Sequence, residues 1–186
     1  MEQVNKEEIY RKLSDFSNKC YFEFNDKISS YGPSFRVMRQ QSINDQLKYK
    51  IVQLRNNENG IKTLDSIEDI LKSIFNYSVI SIIQLRKGSV VFINEEDSSE
   101  IITEFNLICD EIVSLIKDKD VNYGCSWMRM HKETFTDIML TKTMRSENMI
   151  YENVDNYKKS ILDAYMDISA YTLFYMYRLG NDAQKK

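Results

Sequence analysis

The sequence is poor in residues that interrupt a helix. Its 186 residues include five glycines and a single proline. Proline breaks a helix because it lacks an N–H and clashes with the preceding turn, and glycine weakens one through backbone entropy. All-β and doubly wound folds need more turn chemistry than this. Histidine is nearly missing as well. His131 stands alone, and the three cysteines, Cys20, Cys109 and Cys125, are too far apart to form a CxxC pair. That excludes an ordinary zinc site within one chain. It leaves Mg2+ or Mn2+ on carboxylates as the divalent ions to expect. The cysteines read as reduced thiols filling a core. A basic footprint is also lacking: the formal net charge is −3, which argues against direct nucleic-acid binding. The longest apolar stretch, from Tyr77 to Leu85, is too short to cross a bilayer. The segment MEQVNKEEIYRKL is polar and unlike a signal peptide. No membrane association and a cytoplasmic location are therefore expected. P-loop, glycine-rich phosphate loop and nucleophile elbow are all absent.

What is present is a repeat. Apolar residues make up 42% of the chain and charged residues 28%, the proportions of a folded globular protein. YGPSFRVMRQQSINDQLKYK, from Tyr31, aligns with YGCSWMRMHKETFTDIMLTK, from Tyr123, at a constant offset of 92. Tyr31, Gly32, Ser34, Phe35, Met38, Ser42, Asp45 and Lys50 match Tyr123, Gly124, Ser126, Trp127, Met130, Thr134, Asp137 and Lys142. The likeness resumes at an offset of 94, where Asp69, Ser73 and Tyr77 face Asp163, Asp167 and Tyr171. Copy one is placed at residues 5–88 and copy two at 95–179, joined by a connector at 88–94. Each copy reads as three helices. Helix A covers about 5–29 and 96–119, with Ile101, Phe105, Ile108 and Ile112 at helical spacing. Tyr-Gly ends it, the glycine serving as a left-handed cap. Helix B follows Ser42-Ile-Asn-Asp45 and Thr134-Phe-Thr-Asp137, both of which fit a capping box. Helix C starts near Asp65 and near Asn153, with Ile67, Ile70, Leu71, Ile74 and Ile82 as its apolar stripe. The expected fold is all-α: two tandem three-helix repeats packed as one pseudo-twofold bundle, helices A and C in contact.

These two motifs, with SIEDILKSIFNYSVISIIQL and its second-copy partner, resemble the nucleotide-modification-associated domain 1 family. The resemblance covers most of both copies. It implies a tandem architecture and a link to modified bases or nucleotides in phage and bacterial systems. The chain also resembles, more loosely, all-α nucleotide pyrophosphohydrolases of the MazG type, in which helix-borne acids hold Mg2+ and a nucleoside triphosphate. In the family pattern two acids four apart, then an Asn, precede the helix C tyrosine. Copy two keeps Asp163 and Asp167 but has Ala170; copy one keeps Asp69 and Asn76 but has Ser73. The basic residue three after the helix B lysine survives as Arg145 and is Gln53 in copy one. Neither copy is complete.

From spacing alone, Asp163 and Asp167 lie one helical turn apart, so their carboxylates share a face where Mg2+ would relieve their repulsion. Asp69 is the candidate to join them across the pseudo-twofold; a solvated acidic stripe is the alternative. Lys50, Lys142 and Arg145 are candidates for phosphate, as are Arg36 and Arg39, which exposed solvation explains equally. Tyr31-Gly32 and Tyr123-Gly124 are candidates to place a ring and bare backbone beside a ligand. Trp127 is balanced between base stacking and core, and Phe35 favours the core. Asp45 and Asp137 are nucleotide-site candidates whose capping role is the stronger reading. The functional expectation is a nucleotide-binding protein of nucleotide or modified-base metabolism, with Mg2+-dependent hydrolysis of a nucleoside triphosphate within its scope. The alternative is a non-catalytic helical module that binds a nucleotide or a partner protein. A homo-oligomer is left open.

Overall fold

A computed structural model describes residues 5–93, 97–152 and 157–183, without the side chains of 182 and 183. Six helices follow one another: α1 (Lys6–Tyr31), α2 (Gln40–Glu58), α3 (Ile67–Lys87), α4 (Ser98–Tyr123), α5 (Lys132–Glu152) and α6 (Lys158–Ala183). A 3-10 turn precedes α2 at Ser34–Val37, and its counterpart Ser126–Arg129 precedes α5. No strand occurs among the described residues. The fold is all-α. No described helix is long and apolar enough to cross a membrane.

The helices stack in three layers of two. α3 and α6 form the middle layer, α2 and α5 cover one side, and α1 and α4 cover the other. Each helix in the middle layer must therefore be apolar nearly all round. Ile70, Leu71, Ile74, Phe75, Val79, Ile82 and Ile83 of α3 are all fully buried. Outer helices bury one stripe: Ile9, Leu13, Cys20, Phe24 and Ile28 on α1, and Ile43, Leu47, Ile51 and Leu54 on α2. Every contact between two helices recurs between their counterparts, α2 on α3 matching α5 on α6, and α1 on α6 matching α4 on α3. The six helices thus obey an approximate twofold and share one core. Helix A does meet helix C, as expected, but its main neighbour is the A helix of the other copy. Phe24 stacks on Phe105 at 4.0 Å across that seam.

Gly32 and Gly124 cap α1 and α4, donating to the carbonyls of Ile28 at 2.8 Å and Asp120 at 2.9 Å. Gly124 is left-handed, whereas Gly32 at φ 69°, ψ 174° occupies a region open essentially to glycine alone. Cys125, at φ 58°, is a second left-handed residue in the copy-two turn, where copy one has Pro33.

Both helix B capping boxes are corrected. α2 begins at Gln40 and α5 at Lys132, so Ser42 and Thr134 lie inside the first turn. A side-chain N-cap does occur, at the start of α3: Ser66 accepts from the N–H of Asp69 at 3.1 Å, and its hydroxyl donates to the Asp69 carboxylate at 2.7 Å. The expected helix start at Asn153, the connector's end at Asn94 and the starts at 95 and 96 fall outside the described residues.

Candidate functional site

The repeated motif residues converge on two cavities, one per copy, each walled by the end of helix A, the 3-10 turn and the middle of helix C. The copy-one cavity, about 560 Å3, includes Lys27, Tyr31, Gly32, Ser34, Phe35, Met38, Lys50, Ser73, Asn76 and Tyr77 in its lining. The copy-two cavity, about 300 Å3, includes Lys119, Asp120, Tyr123, Ser126, Trp127, Met130, Asp167, Ala170 and Tyr171. Position by position the walls correspond: Lys27 with Lys119, Tyr31 with Tyr123, Phe35 with Trp127, Ser73 with Asp167, Asn76 with Ala170, and Tyr77 with Tyr171. Sequence reasoning missed Lys27 and Lys119. They match at the same offset of 92, one turn before the Tyr-Gly where the comparison began.

Why the walls sit there is legible in buried contacts. Each 3-10 turn is clasped by a polar side chain from helix C. Gln84 donates to the carbonyls of Arg36 at 3.2 Å and Met38 at 2.6 Å. Its counterpart Arg178 donates to those of Met128 at 2.6 Å and Met130 at 2.7 Å. These donors satisfy carbonyls that the end of a short helix leaves open. Arg36 is itself buried and donates to Gln84. It is a wall fastening and does not line the copy-one cavity.

The two cavities differ in charge. In copy two, Asp167 accepts from Lys142 at 2.7 Å and from Lys119. Burial pushes the Asp167 carboxyl up, but the two lysines outweigh it and hold it below the ordinary carboxylate range. Asp120 is buried, lines the same cavity and accepts at 3.3 Å from Tyr10, from Cys125 and from the Trp127 indole. Burial, and then the Asp120 charge, push the Tyr10 phenol up. Trp127 stacks on Phe174 at 4.1 Å, which uses one face of the only indole in the chain.

Among the described residues no carboxylate lines the copy-one cavity. Lys50 donates to Gln53 at 3.1 Å and to Asp65 at 2.9 Å, neither of which is part of the lining. Its hydrogen bond lowers the Asp65 carboxyl. Lys27 meets Glu23 on its own helix at 2.9 Å. The Ser73 hydroxyl is uncharged and donates to the Asp69 carbonyl at 2.8 Å. The Asn76 side-chain oxygen is buried without a hydrogen-bond partner.

The remaining candidates lie elsewhere. Asp69 accepts from the N-cap Ser66 and meets Lys72 at 3.5 Å, and the Ser66 hydrogen bond lowers its carboxyl. Asp163 and Arg145 are exposed. Asp45 is exposed, and Asp137 meets Arg55 at 3.8 Å on the α2–α5 surface. Arg39 is exposed and borders a different groove, with Gln84, Gly88, Met149 and Lys158. Gly124 caps α4, and Lys142 joins the copy-two cavity through Asp167.

Do these acids fit Mg2+? A hard cation wants several free oxygens at one point. Asp167 gives both oxygens to ammonium groups, Asp69 is occupied at its helix start, and Asp163 points to solvent. Among the described residues no three His, Cys, Asp or Glu side chains are grouped to hold a metal ion. As placed, the three carboxylates do not make one divalent-ion site.

Comparison with known proteins gives one match. A family model described as nucleotide modification associated domain 1 matches residues 27–85 and 117–179. No curated protein and no solved structure matches the chain. The two matched segments run from Lys27 and Lys117 to the ends of the helix C stripes, so they hold the clasps and, apart from Phe24 and Ile116, the residues that line the two cavities. They span more than half of the chain, which belongs to the nucleotide modification associated domain 1 family.

Proposed function

We propose that the protein is a nucleotide-binding module of nucleotide or modified-base metabolism, and that the copy-one cavity takes the ligand. One observation carries this reading: two lysines and two tyrosines line a cavity with no carboxylate among its described lining residues. Its volume suits a small molecule of nucleotide size. Lys27 and Lys50 suit phosphate oxygens, since charge-assisted hydrogen bonds are the strong ones. Lys50 keeps one of its three N–H donors beyond Gln53 and Asp65. Tyr31 and Tyr77 offer faces for a base. Family membership supports nucleotides as the ligand class.

Mg2+-dependent hydrolysis of a nucleoside triphosphate is the competing reading. Its support is that Asp120 and Asp167 line the same copy-two cavity. Thermal-shift and calorimetric titrations with nucleoside mono-, di- and triphosphates, in EDTA and in Mg2+, separate the two. A ligand at 100 times its Kd should stabilise the fold by about 2.7 kcal/mol. The proposal expects that stabilisation in EDTA and its loss in Lys27→Met/Lys50→Met. Stabilisation that needs Mg2+ and survives in that double variant would favour the competing reading. No response to any nucleotide would remove both.

A further inference from the structure

We infer that the two cavities have diverged into one open anion site and one self-occupied site, with the residue at position 73 or 167 deciding which. This rests on the proposed nucleotide reading and assigns it a stoichiometry of one ligand per chain. Ser73 and Asp167 occupy the same place on α3 and α6 and line corresponding cavities. Asp167 bridges Lys119 and Lys142, the counterparts of Lys27 and Lys50. To an ammonium group, a carboxylate and a phosphate ester present the same thing, two or more oxygens sharing negative charge. Asp167 therefore stands where a ligand's anion would stand, supplied by the chain itself.

Copy one has the same two lysines, each meeting a carboxylate of its own, Glu23 for Lys27 and Asp65 for Lys50. Ser73 is neutral and turned to its own helix backbone, and among the described residues none bridges Lys27 and Lys50. A phosphate ester can bridge them as Asp167 bridges the other pair. Three further differences run the same way. Asp120 adds a second carboxylate to the copy-two lining, where copy one has Ile28. The copy-two cavity is the smaller, about 300 against 560 Å3, with the Trp127–Phe174 stack in its wall. Asn76, whose buried oxygen has no partner, is replaced there by Ala170, which has no polar atom to offer.

The test is a residue exchange read by calorimetry in EDTA. Wild type, Ser73→Asp and Asp167→Ser are each titrated with deoxynucleoside 5′-triphosphates and, separately, with inorganic phosphate. Wild type should bind one nucleotide per chain, and more tightly than it binds phosphate. Ser73→Asp should weaken nucleotide binding about 10- to 100-fold, the value of a charge-assisted contact. Asp167→Ser should bind two nucleotides per chain. Should Asp167→Ser fail to fold, as a thermal melt would show, Asp167→Asn removes the same charge at nearly constant size and carries the same expectation. Unchanged affinity in Ser73→Asp overturns the inference, as does abolished binding or an unchanged stoichiometry of one in the Asp167 variants. A wild-type stoichiometry of two, or phosphate binding as tightly as nucleotide, overturns it too, while nucleotide binding itself stands. Absence of wild-type nucleotide binding removes both.

Discussion

Asp167 shows how one side chain changes the meaning of a conserved-looking frame. Read along the helix, it pairs with Asp163 four residues earlier and suggests a metal face. In three dimensions it is committed to lysines from α4 and α5, which no spacing rule within α6 can reveal. Lys119 and Lys142 hold it, and burial, then the Asp167 charge, raise the Tyr171 phenol. Because the folded carboxyl lies below the ordinary value of 3.8, it binds its proton less readily in the native state than in the unfolded one. Its contribution to stability is present above that value and is lost as pH falls through the lower folded value. Asp167→Asn should cost about 1–3 kcal/mol at pH 7. Denaturant melts from pH 7 to pH 3 should show wild type losing more stability than the variant. Parallel losses would mean the ion pairs contribute nothing. Gly32 gives a second test at this scale. Gly32→Ala should cost about 1–3 kcal/mol through backbone strain, since a new Cβ meets only Ile93 at an ordinary 3.8 Å. A cost below 0.5 kcal/mol, roughly the noise of a surface change, would place the strain elsewhere.

At the scale of elements, the helices were legible wherever periodicity and glycine both spoke. The A helices end at Tyr31 and Tyr123 and are capped by Gly32 and Gly124, as the sequence suggests, because an N–H at a positive-φ glycine can close the last turn. The start of helix B was misplaced for a physical reason. Ser-x-x-Asp matches a capping box in composition, but the 3-10 turn clasped by Gln84 or Arg178 is followed by an extended methionine, Met38 or Met130, and the helix then starts at Gln40 or Lys132, two residues before the Ser or Thr. The same pattern is a genuine cap at Ser66, where no such turn precedes it. Chemical denaturation should therefore separate the two serines. Ser66→Ala should cost about 1 kcal/mol, whereas Ser42→Ala should change stability by less than about 0.5 kcal/mol. The reverse order would restore the original helix start. The clasps themselves escaped the sequence because Gln84 and Arg178 share a place and a task but not a residue type.

Across the whole molecule, the layers bind the copies into one unit. α3 and α6 lie side by side in the middle, so neither copy can bury its helix C without the other. Polar ties cross the same boundary: Tyr165 of α6 donates to Asn44 of α2 at 3.1 Å, and Ser78 meets Ser169 at 2.7 Å. The chain should unfold in one cooperative step. Trp127 lies in copy two, while far-ultraviolet circular dichroism reports helices in both copies. Guanidinium transitions followed by the two signals should coincide. Separate midpoints would show copies that fold independently. The repeat, read from one sequence, was enough to place the motif residues on common walls. The exchange of Ser73 for Asp167 is visible in it, but not that Asp167 is held by lysines from two other helices, because no spacing within α6 reveals them.

Hydrogen–deuterium exchange tests that asymmetry without any substitution. Exchange is followed peptide by peptide, with and without a saturating deoxynucleoside triphosphate in EDTA. The copy-one walls should gain protection, in peptides covering residues 24–38 and 73–80. Exchange should be unchanged at the corresponding copy-two peptides, 116–130 and 167–174. Protection concentrated in copy two, or equal in both copies, would show that the open site is not in copy one.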